Sequence, residues 1–165
     1  SGPLIVSPNP MRRPGIVSGG PNLVIQDNSN NASDPVSSRG GGVKMTFDVP
    51  VPNAGDTGVT VQASIAIYDI LGNLVISGQN SRFIYYNGSQ WILDNGGGGE
   101  SVAGLVGTGS IVRPAIYWSG ENGRGMAVAP GVYRGVVALH YAGSGKASYG
   151  DQHSSANIGV MHAAR

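Results

Sequence analysis

The sequence predicts an all-β chain, an antiparallel sandwich of two sheets, and three observations carry that expectation. Apolar residues recur with period two along most of the chain, and no stretch keeps a 3.6-residue period beyond a single turn. About nine short apolar runs are separated by clusters of Gly, Pro and Asn, the punctuation of strands joined by turns. Glycine occurs 28 times in 165 residues, well above its average of about 7%, and such an excess needs turns, bulges or loops to hold it.

In chain order, residues 3–7 and 22–26 are short apolar runs, the first followed by a Pro- and Gly-rich tether that reaches Pro21. Val43, Met45, Phe47 and Val49 alternate with Lys44, Thr46 and Asp48, giving one apolar and one polar face. Val59, Val61, Ala63, Ile65 and Ile67 do the same against Thr60, Gln62, Ser64, Ala66 and Tyr68. A tight turn at Leu71-Gly72-Asn73, where Gly72 supplies a positive φ, leads into a strand over residues 73–78. Residues 82–86 and 90–93 flank Asn87-Gly88, a pair suited to a type I′ hairpin turn. Residues 94–110 are dominated by glycine and are expected to form a mobile loop. Strands follow over 111–118, over 132–141, which is apolar on both faces as a central strand would be, and over 157–164. The expected core takes Val43, Met45, Phe47, Val61, Ile65, Ile67, Leu74, Val132, Val136 and Val160, with Trp118 or Tyr133.

The length fits one domain, residues 1–165, able to bury a core without crosslinks. Charged residues make up 12% and the net charge is +1, so there is no electrostatic case for nucleic acid or an anionic membrane surface. Cysteine is absent, which excludes disulfides and thiolate metal sites. No apolar run approaches the roughly 20 residues of a transmembrane helix. Sparse charge with abundant Gly, Asn and Ser is common among extracellular or cell-surface proteins, an association that sets the expected location. The chain starts at Ser1 without methionine or a signal-like segment, so a processed or trimmed product, or a tag remnant at Ser1-Gly2, is expected.

Patterns that carry chemistry are scarce, and the chain is not expected to be an enzyme. The three histidines, His140, His153 and His162, have no metal-ligand spacing; a His140–His162 pair on adjacent strands reads as sheet surface. There is no Gly-x-Ser-x-Gly elbow, and Gly145-Lys146-Ala147 lacks the remainder of a phosphate loop. Glu100 and Glu121 fall in glycine-rich turns, and Asp69 reads as a turn residue, not as half of a catalytic carboxylate pair. Asp27, Asn31 and Asp34 offer oxygen ligands loosely like a calcium loop but lack its glycine and closing glutamate, so solvated loop is the preferred reading. No cofactor is expected. Asn31-Ala32-Ser33 and Asn87-Gly88-Ser89 are glycosylation sequons, meaningful only in a host that glycosylates asparagine. Tyr85, Tyr86 and Trp91 share the hairpin; since side chains alternate, at most one tyrosine joins Trp91 on a face. Such a face stacks on sugar rings or caps a core or an interface, and capping is the preferred reading.

Two stretches are the most specific in the chain. The first is Ile65-Ala66-Ile67-Tyr68-Asp69-Ile70-Leu71-Gly72-Asn73-Leu74-Val75. The second is Trp118-Ser119-Gly120-Glu121-Asn122-Gly123 followed by Ala129-Pro130-Gly131-Val132-Tyr133-Arg134. Together they resemble the Ig-like domain of the flagellar hook-capping protein, a module also found at the ends of secreted bacterial proteins. Ser7-Pro8-Asn9-Pro10 resembles the opening of that module and of type IX secretion sorting domains. Ser119 departs from the Asp or Asn usual in the family and is expected to make the same side-chain-to-backbone bond more weakly. The resemblance implies an Ig-like, fibronectin-III-like sandwich without catalysis, in which residues 1–21 are an N-terminal strand and tether and residues 79–114 an inserted hairpin and loop.

The expected function is a structural subunit of a bacterial secreted or cell-surface assembly, a fibre, sheath or appendage, self-associating or joined to other surface proteins. The alternatives are a sorting or anchoring domain of a larger exported protein, and a polysaccharide-binding module resting on Trp91 and one tyrosine. Leu4, Ile5 and Val6 form an apolar strand on a long tether that can pair in its own sheet or in a neighbour's. Pairing at home is the default, because consecutive strands stay local.

Overall fold

Ten residues of uninterrupted alternation make β6 (Val59–Tyr68), whose Val59, Val61, Ala63, Ile65 and Ile67 are all buried. The computed structural model that shows this describes residues 4–12, 23–27, 42–94, 100–101, 111–144 and 149–161. The other strands are β1 (Ile5–Ser7), β2 (Met11–Arg12), β3 (Leu23–Asp27), β4 (Val43–Thr46), β5 (Val49–Pro50), β7 (Leu74–Tyr86), β8 (Trp91–Leu93), β9 (Glu100–Ser101), β10 (Ile111–Val112), β11 (Pro114–Trp118), β12 (Gly131–Gly143) and β13 (Gln152–Met161). No helix occurs among the described residues, and none is long and apolar enough to cross a membrane. The chain is all-β and sandwich-like.

One sheet has seven strands in the order β2-β13-β12-β6-β7-β8-β9, antiparallel except where β2 runs parallel to β13. The second has four, β1-β4-β11-β3, antiparallel throughout. Their inner faces share one apolar core. Gly135 on β12 lies under Leu4 and the Met45 thioether, and Leu23 on β3 lies over Gly78 on β7. Trp118 packs on Tyr133 with ring centroids 5.7 Å apart, and Phe47 stacks on Phe83 at 6.4 Å.

The run Val43 to Pro50 is one alternating segment in sequence but two strands in space, and the reason lies across the ladder. Val43 opposes Trp118, and Val49 opposes Val112 with the same offset. In that register Phe47 faces Pro114, which has no N–H to give, so the ladder breaks there. Asp48 and Arg113 face each other at the break and form an ion pair of 2.7 Å. The Arg113 side chain is 72% exposed, so the pair adds little stability.

Three expectations are corrected. Residues 73–78 and 82–86 are not separate strands: β7 runs continuously, and a register shift between Val61 and Ala63 of β6 absorbs the extra residues of β7. The β13 strand begins at Gln152, five residues before the run expected from 157. Within the core list, Leu74 is 58% exposed, Val132 is 49% exposed and Val136 is only half-buried. On β12 the inward residues are Tyr133, Val137, Leu139 and Tyr141, the opposite phase to Val132 and Val136. A strand apolar on both faces does not reveal its phase by alternation; its partners β6 and β13 set it. Leu74 sits just past the register shift between Ile67 and Tyr68, so it faces outward. Val43, Met45, Phe47, Val61, Ile65, Ile67 and Val160 are buried as expected, as are both Trp118 and Tyr133.

Candidate functional site

The two specific sequence stretches meet at one end of the seven-stranded sheet. The first closes a turn in which Asp69 accepts, through Oδ1, the N–H groups of Leu71 (2.9 Å) and Asn73 (2.8 Å). The Asn73 amide donates to Asp69 Oδ2, and the Asp69 and Gly72 N–H groups close the backbone onto Asn73 and Asp69 carbonyls. Gly72 has the expected positive φ, 87°, and Gly131 is also positive at 154°. In the second stretch Asn122 Oδ1 accepts from the N–H groups of Arg124 and Met126. Trp118 Nε1 donates to the Glu121 carbonyl at 2.9 Å, and the Tyr133 hydroxyl to the Ala129 carbonyl at 2.6 Å. The Ser119 hydroxyl donates to Glu121 Oε1 at 2.8 Å. The Gly123 N–H then donates to the Val75 carbonyl (3.0 Å) and ties the second turn to the strand after the first.

These turns hold apolar side chains out in solvent. Ile70 is 80% exposed and Leu71 83%, with Leu74 and Met126 also exposed. Between the turns lies an open groove of about 410 Å³ lined by Leu74, Val75, Asn122, Gly123, Arg124, Met126 and Val128. The Asn73 N–H is the main influence holding the Asp69 carboxyl below its ordinary value of 3.8, with the Asn73 amide and the Leu71 and Gly72 N–H groups adding to it. A carboxylate depressed on folding stabilises the turn above its unfolded pKa, and this contribution is lost as pH falls through the lower folded value. The Leu71 and Asn73 amide resonances are therefore expected to titrate together with a midpoint below 3.8, and Asp69→Asn to abolish that titration. A midpoint at or above 3.8 would contradict the turn geometry.

The aromatic hairpin forms, but with different turn chemistry. Tyr86 pairs with Trp91 across four loop residues, and Asn87 Oδ1 accepts from the N–H groups of Ser89 and Gln90, both at 2.9 Å. Only Gly88 has positive φ, so the turn is not type I′, which needs positive φ at both central residues. Tyr86 is the tyrosine that joins Trp91, at 5.6 Å and edge-on, while Tyr85 lies under the Arg82 guanidinium at 4.0 Å. Trp91 is half-buried against the core.

Leu4 is buried in the core, Ile5 is 59% exposed, and β1 pairs with β4 of its own chain. The calcium candidates Asn31 and Asp34 lie outside the described residues, and Asp27 ends β3. Among the described residues no three His, Cys, Asp or Glu side chains come together as a metal site. His140 pairs with Asp151 at 2.7 Å, and His162 lies outside the described residues. The expected mobile loop also lies outside them, apart from Asp94, Glu100 and Ser101. One cluster went unread in the sequence. Tyr141 and Tyr149 stack at 5.0 Å and hold the loop after β5, through Tyr141 to the Pro50 carbonyl and Tyr149 to Asp56. Burial, with Tyr149 alongside, pushes the Tyr141 phenol up to about 12. The tyrosines are eight residues apart in sequence with nothing to mark the pairing. No protein-family model matches the chain, and comparison with curated proteins returns no match.

Proposed function

We propose that this chain is a non-catalytic structural subunit of a secreted or cell-surface assembly, folded as an Ig-like, fibronectin-III-like sandwich that joins its neighbours through its surfaces. The observation that carries this reading is the apolar end formed by Ile70, Leu71, Leu74 and Met126. Large apolar side chains held in solvent by well-bonded turns mark a contact surface. The N-terminal strand offers a second route: β1 lies at the edge of the four-stranded sheet and follows the same ladder whether β4 belongs to its own chain or to a neighbour.

Light scattering and electron microscopy of the purified chain test the reading. Polymers are expected, and the paired substitution Ile70→Glu with Leu71→Glu is expected to dissolve them while leaving the circular dichroism spectrum unchanged, since both sites are exposed. Deleting residues 1–7, with folding followed separately, assigns any remaining polymer to strand exchange or to the apolar end. A chain that stays monomeric at every concentration overturns the assembly reading and leaves a sorting or anchoring role for a larger exported protein.

A further inference from the structure

We propose that the open stretch of the β7 edge around Ser77 and Gln79, with the groove beside it, is a docking site for an extended peptide strand carrying an apolar side chain and a carboxylate. This goes beyond the assembly reading and does not rest on it. Along an edge strand, successive backbone groups point alternately into the sheet and out of it. The Val75 carbonyl accepts from Gly123, outside the ladder, so the backbone groups of Ser77 and Gln79 also point outward. The opposite edge shows the same alternation: the Asn157 carbonyl and Gly159 N–H of β13 point out and are met by the Asn9 amide. That edge is closed by Asn9 and β2. On β7, no hydrogen bond among the described residues reaches the outward groups of Ser77 and Gln79.

The open stretch is bounded at both ends. The Gly123 turn closes on Val75 at one end, and at the other the Asn80 amide donates to the Asp94 carbonyl before β8 takes up pairing at Ile84. The gap from Val75 to Asn80 is about 16 Å, room for a strand of four or five residues. A stretch of that length matches a short single strand. None of the charges or prolines that guard exposed edges occurs at Ser77, Gly78 or Gln79. The groove begins at the Val75–Gly123 end of the stretch, where it supplies the side-chain recognition that strand addition requires. Leu74, Met126 and Val128 make an apolar wall, and Arg124 is the charged residue of its lining. Charge complementarity therefore selects a carboxylate.

Two capped peptides, Thr-Val-Thr-Val-Glu and Thr-Val-Thr-Val-Lys, are the probes, with amide exchange and chemical shifts of the monomeric chain as readout. Slower exchange and shifts are expected at the Ser77 and Gln79 N–H groups and around Arg124, with the Glu peptide bound several-fold more tightly. Arg124→Glu is expected to reverse that order. Ser77→Pro removes an outward N–H without touching a bond to β6, so it is expected to fold and to lose binding. Peptide shifts that avoid Ser77 and Gln79, a Ser77→Pro chain that binds normally, or an Arg124→Glu chain with unchanged preference each overturn the proposal. Peptide binding by a chain that never polymerises sinks the assembly reading alone, and polymers without peptide binding sink this inference alone.

Discussion

Phe47→Ala is expected to lower the unfolding free energy by about 3–5 kcal/mol. Phe47 is 2% exposed and stacks on Phe83, which is fully buried, at the point where the ladder breaks opposite Pro114. Deleting the ring removes a large apolar surface from the core and leaves a cavity whose walls come from both sheets, so neither can collapse into it alone. Domains of this size are stable by about 5–15 kcal/mol, so the variant loses a large part of its margin. Urea unfolding should show a lower midpoint with an unchanged slope. Val132→Ala is the control: 49% exposed, it should stay within about 0.5 kcal/mol of the parent. Comparable losses at the two sites would mean that the inward phase of β12 is the other one.

Gly143→Ala is expected to be the most damaging of the glycine substitutions, at about 3 kcal/mol or more. Gly143 ends β12 at φ 100°, and a Cβ there would overlap the carbonyl oxygen of Gly58, a backbone atom that cannot rotate away. Two penalties act together, the positive φ and the overlap. Gly72, at φ 87°, has nothing near its absent Cβ, so Gly72→Ala carries the conformational cost alone, about 1–2 kcal/mol. Gly72→Val should cost more than Gly72→Ala, because β-branching disfavours that backbone region further. Thermal unfolding of the three variants checks the order, and equal tolerance at Gly72 and Gly143 would remove the argument.

Period-two alternation made β6 legible to the residue, because each of its apolar positions faces one core and each polar position faces away. The turn at Asp69 to Asn73 was legible for a similarly local reason: its hydrogen bonds join residues no more than four apart. The hairpin at Asn87 was legible as a hairpin but not in its turn type. Asn87 turns the chain with its side-chain oxygen and not with a positive φ, and both uses of asparagine look alike in sequence. The stretch of the β7 edge at Ser77 and Gln79, which no hydrogen bond among the described residues reaches, could not be read at all, since the pairing of an N–H carries no signal in the residue that bears it.

What the sequence by itself determined is the all-β class, the position of most strands, the bulk of the core and the two turn motifs, all consequences of interactions within a few residues. Tertiary structure alone decided the phase of β12, the ladder break where Pro114 faces Phe47, the stacking of Tyr141 on Tyr149, and the meeting of the two motifs through Gly123 and Val75. Each of these depends on which strand lies beside which. That choice is made by the summed fit of side chains from distant parts of the chain, and local spacing carries no record of it.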